Sequence, residues 1–378
     1  MRVAKKRRGT LIELRAKRLF RLKYFLRMKF LAAFIICMCA LTGVTGCGSG
    51  TSAQERSNSI YYWRTTFTLS DEERNFIERH DIGKIYMRFF DVGCATVSKP
   101  GQEVVPEATI RFIDSVPQGI EVVPTIYITN YAMYDMRMHE REYAEKIVKR
   151  VNAICNRNGI KYRELQLDCD WNKGTRSHFF KLCEAVKQCL DSTQSVSSTI
   201  RLHQLTQSPP PVDRGVLMVY NTGNLMEMTT ENSIFSKKDI EPYLADGRLA
   251  DYALPLDVAY PAYGWSVVFY PNEGKYRFDR LMRRTDFTQY PEMKCVAQNM
   301  YEATSSVVFS AAGEVHDYVT EGHKVKVERP DADEIIDIKA MIDRLLGGKP
   351  HANIIYHLDE EQLKHYTDNE ISDIYTRR

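Results

Sequence analysis

Two aspartates, Asp168 and Asp170, stand two positions apart at the end of the apolar run in "ELQLDCDWN", residues 164–172. On a strand, alternate side chains share a face. Gln166, Asp168 and Asp170 therefore point one way, and Leu165, Leu167 and Cys169 the other. Two carboxylates held close raise each other's proton affinity, which suits general acid chemistry. Asp170, nearer the strand end, is the candidate acid, and Asp168 is its tuner. Asp257 or Asp359, from distant strands, is the candidate base or nucleophile. The competing reading is structural: Arg88 and Arg201 pair with Asp168 and Asp170, because a buried carboxylate needs a partner.

Other apolar runs end in similar groups. "KIYMRFFDV" (84–92) offers Tyr86, Arg88 and Phe90 on one face, with Asp91 just beyond. "SSTIRLH" (197–203) offers Thr199, Arg201 and His203. "GVLMVYN" (215–221) ends in Tyr220 and Asn221, and "YALPLDVAY" (252–260) carries Asp257 and Tyr260. "ANIIYHLD" (352–359) carries His357 and Asp359, while Trp63, Trp171 and Trp265 sit in or just after further runs. Polar groups with aromatic walls suit a sugar, whose ring faces stack on Trp or Tyr while its hydroxyls need Asp, Asn and Arg. No HxH or HExxH pattern supports a metal site, and no cofactor is expected.

The elements that carry these residues alternate. Each strand-like run from residue 60 onward is followed in most cases by an amphipathic helix, such as "EYAEKIVKRVNAICNRNG", stopped by Gly159. Ser70 and Glu73 form a capping box ahead of the first helix. Eight strands with interspersed helices give an α/β chain and predict a (β/α)8 TIM barrel over 60–378. In such a barrel the C-terminal strand ends converge on one pocket. The barrel is irregular: "QLTQSPPPVDR" is too short and too proline-rich for a helix, residues 92–119 read as extended, and about 60 residues (265–325) form an insertion after strand seven. An open doubly wound sheet is the rival, weakened by the absence of any glycine-rich phosphate loop.

"LQLDCDWN" resembles the fourth-strand signature D-x-x-D-x-D-x-E of chitinase-type (family 18) glycoside hydrolases. Asp168 and Asp170 match its middle and last aspartates; Leu165 replaces the first, and Asn172 stands where the catalytic glutamic acid would be. The runs "YYWRTTF", "STIRLHQ", "PPVDRGVLMVYN" and "LPLDVAYPAYGW" are similar to uncharacterised glycoside-hydrolase-like barrel lipoproteins of Bacteroidetes-type bacteria. The resemblance implies a barrel and a glycan partner. An amide cannot donate a proton to a leaving oxygen, so the expected function is glycan hydrolysis with Asp170 taking over as acid, and the alternative is a barrel that binds glycan without cleaving it. A metal-dependent hydrolase built on His203 and His357 is the weakest alternative.

The first 59 residues bear on location. "FLAAFIICMCALTGV" (30–44) has a basic flank and fits a signal-peptide core better than a membrane span. Val44, Thr45, Gly46 and Cys47 resemble a lipobox, making Cys47 the expected lipidation site and residues 1–46 the signal segment, with Met28 an alternative start. Residues 47–59 read as a flexible tether, so the barrel is expected outside the cytoplasm on a membrane anchor. Residues 1–46 hold 12 of the 52 Lys/Arg and one of the 49 Asp/Glu, leaving a body with 40 basic and 48 acidic residues, net −8. That balance argues against nucleic acid as partner. Six of nine cysteines lie outside the export segment in no metal-binding or disulfide pattern. Replacing Cys47 by Ser should move the protein from the membrane to the soluble fraction; retention in the membrane pellet rules out the lipobox.

Overall fold

The computed structural model describes residues 58–94, 103–245, 247–311 and 314–376. The signal segment, Cys47 and the tether up to residue 57 lie outside the described residues. Eight parallel strands form the centre: β1 (Asn58–Tyr62), β2 (Ile82–Cys94), β3 (Glu121–Ile128), β4 (Glu164–Asp168), β5 (Ser195–Arg201), β6 (Arg214–Met218), β7 (Leu256–Pro261) and β8 (Asn353–Tyr356). Neighbours in the chain are neighbours in the sheet, and β1 pairs with both β2 and β8. The sheet is therefore closed, which settles the barrel against the open doubly wound alternative.

The strands are buried on both faces, as a closed parallel sheet requires. Among the described residues, six helices of eight or more residues support them: α1 (Asp71–Arg79), α2 (Glu140–Arg157), α3 (Arg176–Cys189), α4 (Lys237–Leu244), α5 (Ala332–Leu345) and α6 (Asp368–Tyr375). The capping box forms at α1: the Glu73 amide donates to Ser70 Oγ at 3.2 Å, and the Ser70 amide donates to Glu73 Oε2 at 3.2 Å. On α2 the expected stripe Ala144, Ile147, Val148, Val151 and Cys155 is buried.

Two crossovers lack a full helix. After β2 the chain folds back as Val104–Glu107, antiparallel to β2. After β5 a single 3-10 turn, Leu202–Thr206, precedes the proline run 209–211, which has no backbone N–H to give a helix. The insertion begins at Trp265 and ends at Glu328. It folds as a five-stranded antiparallel sheet plus a hairpin, Val307–Ala311 with Glu314–Val319, over its own core of Val268, Met282, Phe287, Met293, Val319 and Val325. All six cysteines among the described residues are free. No helix among them is long and apolar enough to cross a membrane.

Inside the barrel, side chains stack in layers. At the end where the strands begin, Lys84 Nζ lies 3.0 Å from Glu164 and 3.5 Å from Glu121. Here the structure corrects one expectation. Asp257 is the second residue of β7, so it belongs to this end, away from the end where the strands finish. It accepts from Arg214 Nη1 at 3.0 Å and from the Ala352 amide at 2.7 Å. Above it come Tyr61 against Tyr86 (ring centroids 5.0 Å) and Thr125, which donates to Gln166 Oε1 at 3.0 Å. Asp257→Ala should leave the Ala352 amide and Arg214 without their acceptor and cost about 2 kcal/mol, read as a lower urea midpoint.

Candidate functional site

At the C-terminal strand ends, five charged side chains converge from β2, β4 and β5 and the segment that follows β4. β2 contributes two of them through an irregularity. Its register with β3 shifts between Arg88 and Phe90, so that Arg88 pairs with Thr125 and Asp91 with Tyr127. The bulge inserts one residue and resets the alternation. Arg88 and Asp91, three apart, both face inward, whereas strict alternation would have placed Arg88 with Phe90. Arg88 Nε donates to Asp91 Oδ1 at 2.8 Å and its Nη2 donates to the other oxygen, a bidentate pair.

Asp168, the last residue of β4, is buried and accepts a long hydrogen bond from Thr199 Oγ1 at 3.4 Å. Burial raises its pKa well above the ordinary range, and the nearby Asp170 and Asp91 charges add to the rise. Asp170 follows the strand, and its side chain keeps 23% of its surface exposed. Burial pushes its pKa up to about 7. Arg201 Nε stands 3.6 Å from Asp170 Oδ1, with the arginine side chain buried. Arg201 is the neighbour expected for Asp170, at ion-pair distance and too far for a hydrogen bond; Arg88 pairs with Asp91, and its charge also opposes the pKa rise of Asp168. His203, placed with Arg201 on one strand face by alternation, instead lies in the 3-10 turn and is exposed. Desolvation and the Arg201 charge lower its pKa.

Asn172 does not enter this cluster. Its Oδ1 accepts from the Gly174 amide at 2.8 Å and the Thr175 amide at 3.3 Å, an Asx turn at the start of α3. Thr175 Oγ1 in turn donates to Asn130 Oδ1 at 2.6 Å, and Asn130 Nδ2 donates to the carbonyl of Asp170. The loops after β3 and β4 are thus one hydrogen-bonded unit.

The aromatic residues divide sharply. Trp63 (6% exposed) packs against Tyr61 and Tyr356, with the Arg88 guanidinium 5.7 Å from its ring centre. Trp171 (0%) packs against Phe180 of α3, and Trp265 (5%) donates its indole N–H to Glu328 at 2.9 Å. Tyr220 lies against Tyr356 and Tyr263. Tyr260 faces the helices, where the Asp343 charge of α5 and its own burial raise its pKa. The predicted stacking platforms are therefore packing residues, and Tyr260 and Trp171 lie outside the barrel interior. Aromatic surface is open elsewhere. Tyr131 (62% exposed) and Tyr134 (45%) stand on the short helix Asn130–Asp135 after β3, with Arg137 over Tyr134. Sequence reading missed both; their position just after a strand end was the available signal.

On the β6–β8 side, Asn221 adopts a left-handed backbone (φ 56°), and its Oδ1 accepts from Tyr263 Oη at 2.7 Å. The His357 ring lies 4.9 Å from Tyr356 and 6.2 Å from Tyr263, centre to centre. Burial pushes its pKa down to about 4, so it is neutral at pH 7. Asp359 caps the helical turn Glu360–Leu363 and pairs with Arg283 at 2.8 Å.

No family model matches the chain, and no curated protein does. Solved structures do align with it. They include the spore cortex-lytic enzyme SleL of Bacillus cereus, at 13% identity over 85% of this chain and 75% of that one, with a TM-score of 0.45. A chitinase from Chromobacterium violaceum aligns at 11% identity over 85% and 100%, TM-score 0.48. Human YKL-39, described as a pseudo-chitinase with retained chitooligosaccharide binding, aligns at 9% over 85% and 98%, TM-score 0.46. These values describe a general chain path, and no residue correspondence is drawn from them. The barrel itself is read from the closed strand order.

The raised pKa of Asp170 gives a signed pH dependence. Its folded pKa of about 7 exceeds the unfolded value near 3.8, so the folded state holds the proton more tightly. The contribution is fully present below about pH 4 and is lost as pH rises through 7. Within that window Asp170 should lower stability by about 1 kcal/mol per pH unit. Asp170→Asn should flatten that part of the profile, measured by urea unfolding at pH 4.5, 6 and 8.

Proposed function

We propose that the barrel mouth binds a glycan, and that the chain acts outside the cytoplasm on a lipid anchor at Cys47. The observation that carries the binding reading is the commitment of Asn172 to the α3 turn. The position that resembles a catalytic acid holds an amide, and that amide is used structurally. The strand ends still carry the groups a sugar's hydroxyls need: Asp170, Arg88, Arg201, Asn221 and the neutral His357. Tyr131 supplies an open ring on the rim, bound to the same hydrogen-bonded unit as Asp170. Stacking and directed hydrogen bonds together recognise carbohydrate without chemistry on it.

One feature favours a second reading, hydrolysis. A carboxyl with a pKa of about 7 is half protonated at neutral pH, which suits a general acid. A partner carboxylate would have to come from Asp168 or Asp91, because Asp257 is at the opposite end and Asp359 is engaged in a helix cap. The membrane anchor rests on the lipobox residues Val44 to Cys47 and on the basic flank of the apolar segment.

Calorimetry with soluble oligosaccharides separates the readings, with chitopentaose, cellopentaose and xylopentaose as the first probes. Binding should occur for at least one sugar class, with no shorter products after long incubation. Tyr131→Ala should weaken it by roughly tenfold, the loss of one aromatic contact. Cleavage that disappears in Asp170→Asn would instead establish the hydrolase. No binding across a wide glycan array sinks the glycan reading.

A further inference from the structure

The insertion and the mouth meet at one buried carboxylate. Glu328 is the last residue of the strand Lys324–Glu328, and its side chain has no exposed surface. Its Oε2 accepts from the Trp265 indole at 2.9 Å, from the Ser233 amide at 3.0 Å and from Ser233 Oγ. Its Oε1 lies 2.6 Å from Lys326 Nζ, itself almost fully buried. Lys326 also donates to the carbonyl of Thr230, and Asn232 Nδ2 donates to the carbonyl of Arg329 at 2.9 Å.

Thr230, Asn232 and Ser233 belong to the segment that leaves β6. It carries Asn221 outward from the strand end and returns through Ser233 to α4. Its two arms are laced together. The Asn221 amide donates to the Ile234 carbonyl at 2.5 Å and the Gly223 amide to the Ser233 carbonyl at 3.2 Å. A Cβ at Gly223 would meet Ser233 Cα at 2.9 Å, so this approach needs glycine. Asn221 is also held at its Oδ1 by Tyr263, two residues before Trp265. Glu328 thus grips the returning arm, and the returning arm holds the outgoing arm at Asn221.

A buried ion pair is a poor way to gain stability, because desolvation offsets most of the attraction. Breaking it from one side is costly, which makes such a pair suited to fixing one arrangement over others. We infer that Glu328 is a positioning residue: from the insertion, it holds residues 221–236 in the one conformation that presents Asn221 to a ligand in the mouth. The insertion then sets ligand affinity without touching the ligand. This rests on the glycan reading for its functional consequence, though the clamp itself can be measured without any sugar.

Hydrogen exchange by mass spectrometry on the full chain tests the clamp. In Glu328→Gln, amide exchange over residues 221–236 should rise roughly tenfold, the loss of one charge-assisted hydrogen bond, while β3, β4 and β5 stay protected. Ser233→Ala, which removes one hydroxyl donor and keeps the charge pair, should give a smaller rise in the same segment and guards against misfolding of the first variant. Affinity for the oligosaccharide bound by the wild type should fall in the same order. Unchanged exchange in both folded variants, or a rise spread evenly over the barrel, overturns the clamp. Raised exchange with unchanged affinity overturns its role in the mouth. If the wild-type protein binds no sugar, the glycan reading fails, and the exchange data still decide whether Glu328 holds the loop.

Discussion

A carboxyl group inside a closed barrel has no water to turn to, and this constraint organises the molecule. It must be protonated, paired with a cation or capped by N–H and O–H donors. The interior uses all three solutions, and each marks a different level. At the lower end, Glu164 and Asp257 are paired with Lys84 and Arg214. At the mouth, Asp91 is paired with Arg88, and Asp168 and Asp170 have raised pKa values. On the flank, Glu328 is paired and capped at once. At the mouth three carboxyl groups, Asp91, Asp168 and Asp170, lean toward the neutral form beside Arg88 and Arg201, as Asp257 does beside Arg214 at the other end.

That imbalance gives the mouth its chemical character. Arg201 lies near a carboxyl whose pKa burial raises to about 7, so the local field at the strand ends depends on pH near neutrality. On the β6–β8 side, neutral His357 packs against the buried tyrosine cluster Tyr220, Tyr263 and Tyr356. The fixed bonding of Asn172 and the open face of Tyr131 are the two features on which the proposed glycan binding rests.

Two irregular features of the barrel shape the site. The bulge in β2 turns Arg88 and Asp91 inward together. The insertion after β7 brings Glu328 and Trp265 to the segment that follows β6. A regular eightfold repeat would have supplied neither. Loop and bulge variation on a closed scaffold lets one fold carry different sites.

Much of the fold was legible in the sequence. Eight apolar runs, the capping box at Ser70 and Glu73, and the α2 stripe are local patterns, fixed by backbone sterics and by the periodicities of strand and helix. The polar strand ends of β2, β4, β5 and β6 were legible for the same reason, and so was the Arg201–Asp170 neighbourhood. Which end of a strand a residue occupies was not. Asp257 looked like a strand-end acid because the run "YALPLDVAY" extends further back than β7 does; pairing with β6 and β8, a long-range event, sets where the strand begins. The Arg88–Asp91 pair depends on a bulge that alternation cannot express. The tryptophans were recognised as aromatic, but exposure is a property of what packs against them, and only the assembled helices and insertion buried Trp171 and Trp265 while leaving Tyr131 open. Residue chemistry and period are written locally; which groups lose their water is decided by contacts between distant parts of the chain.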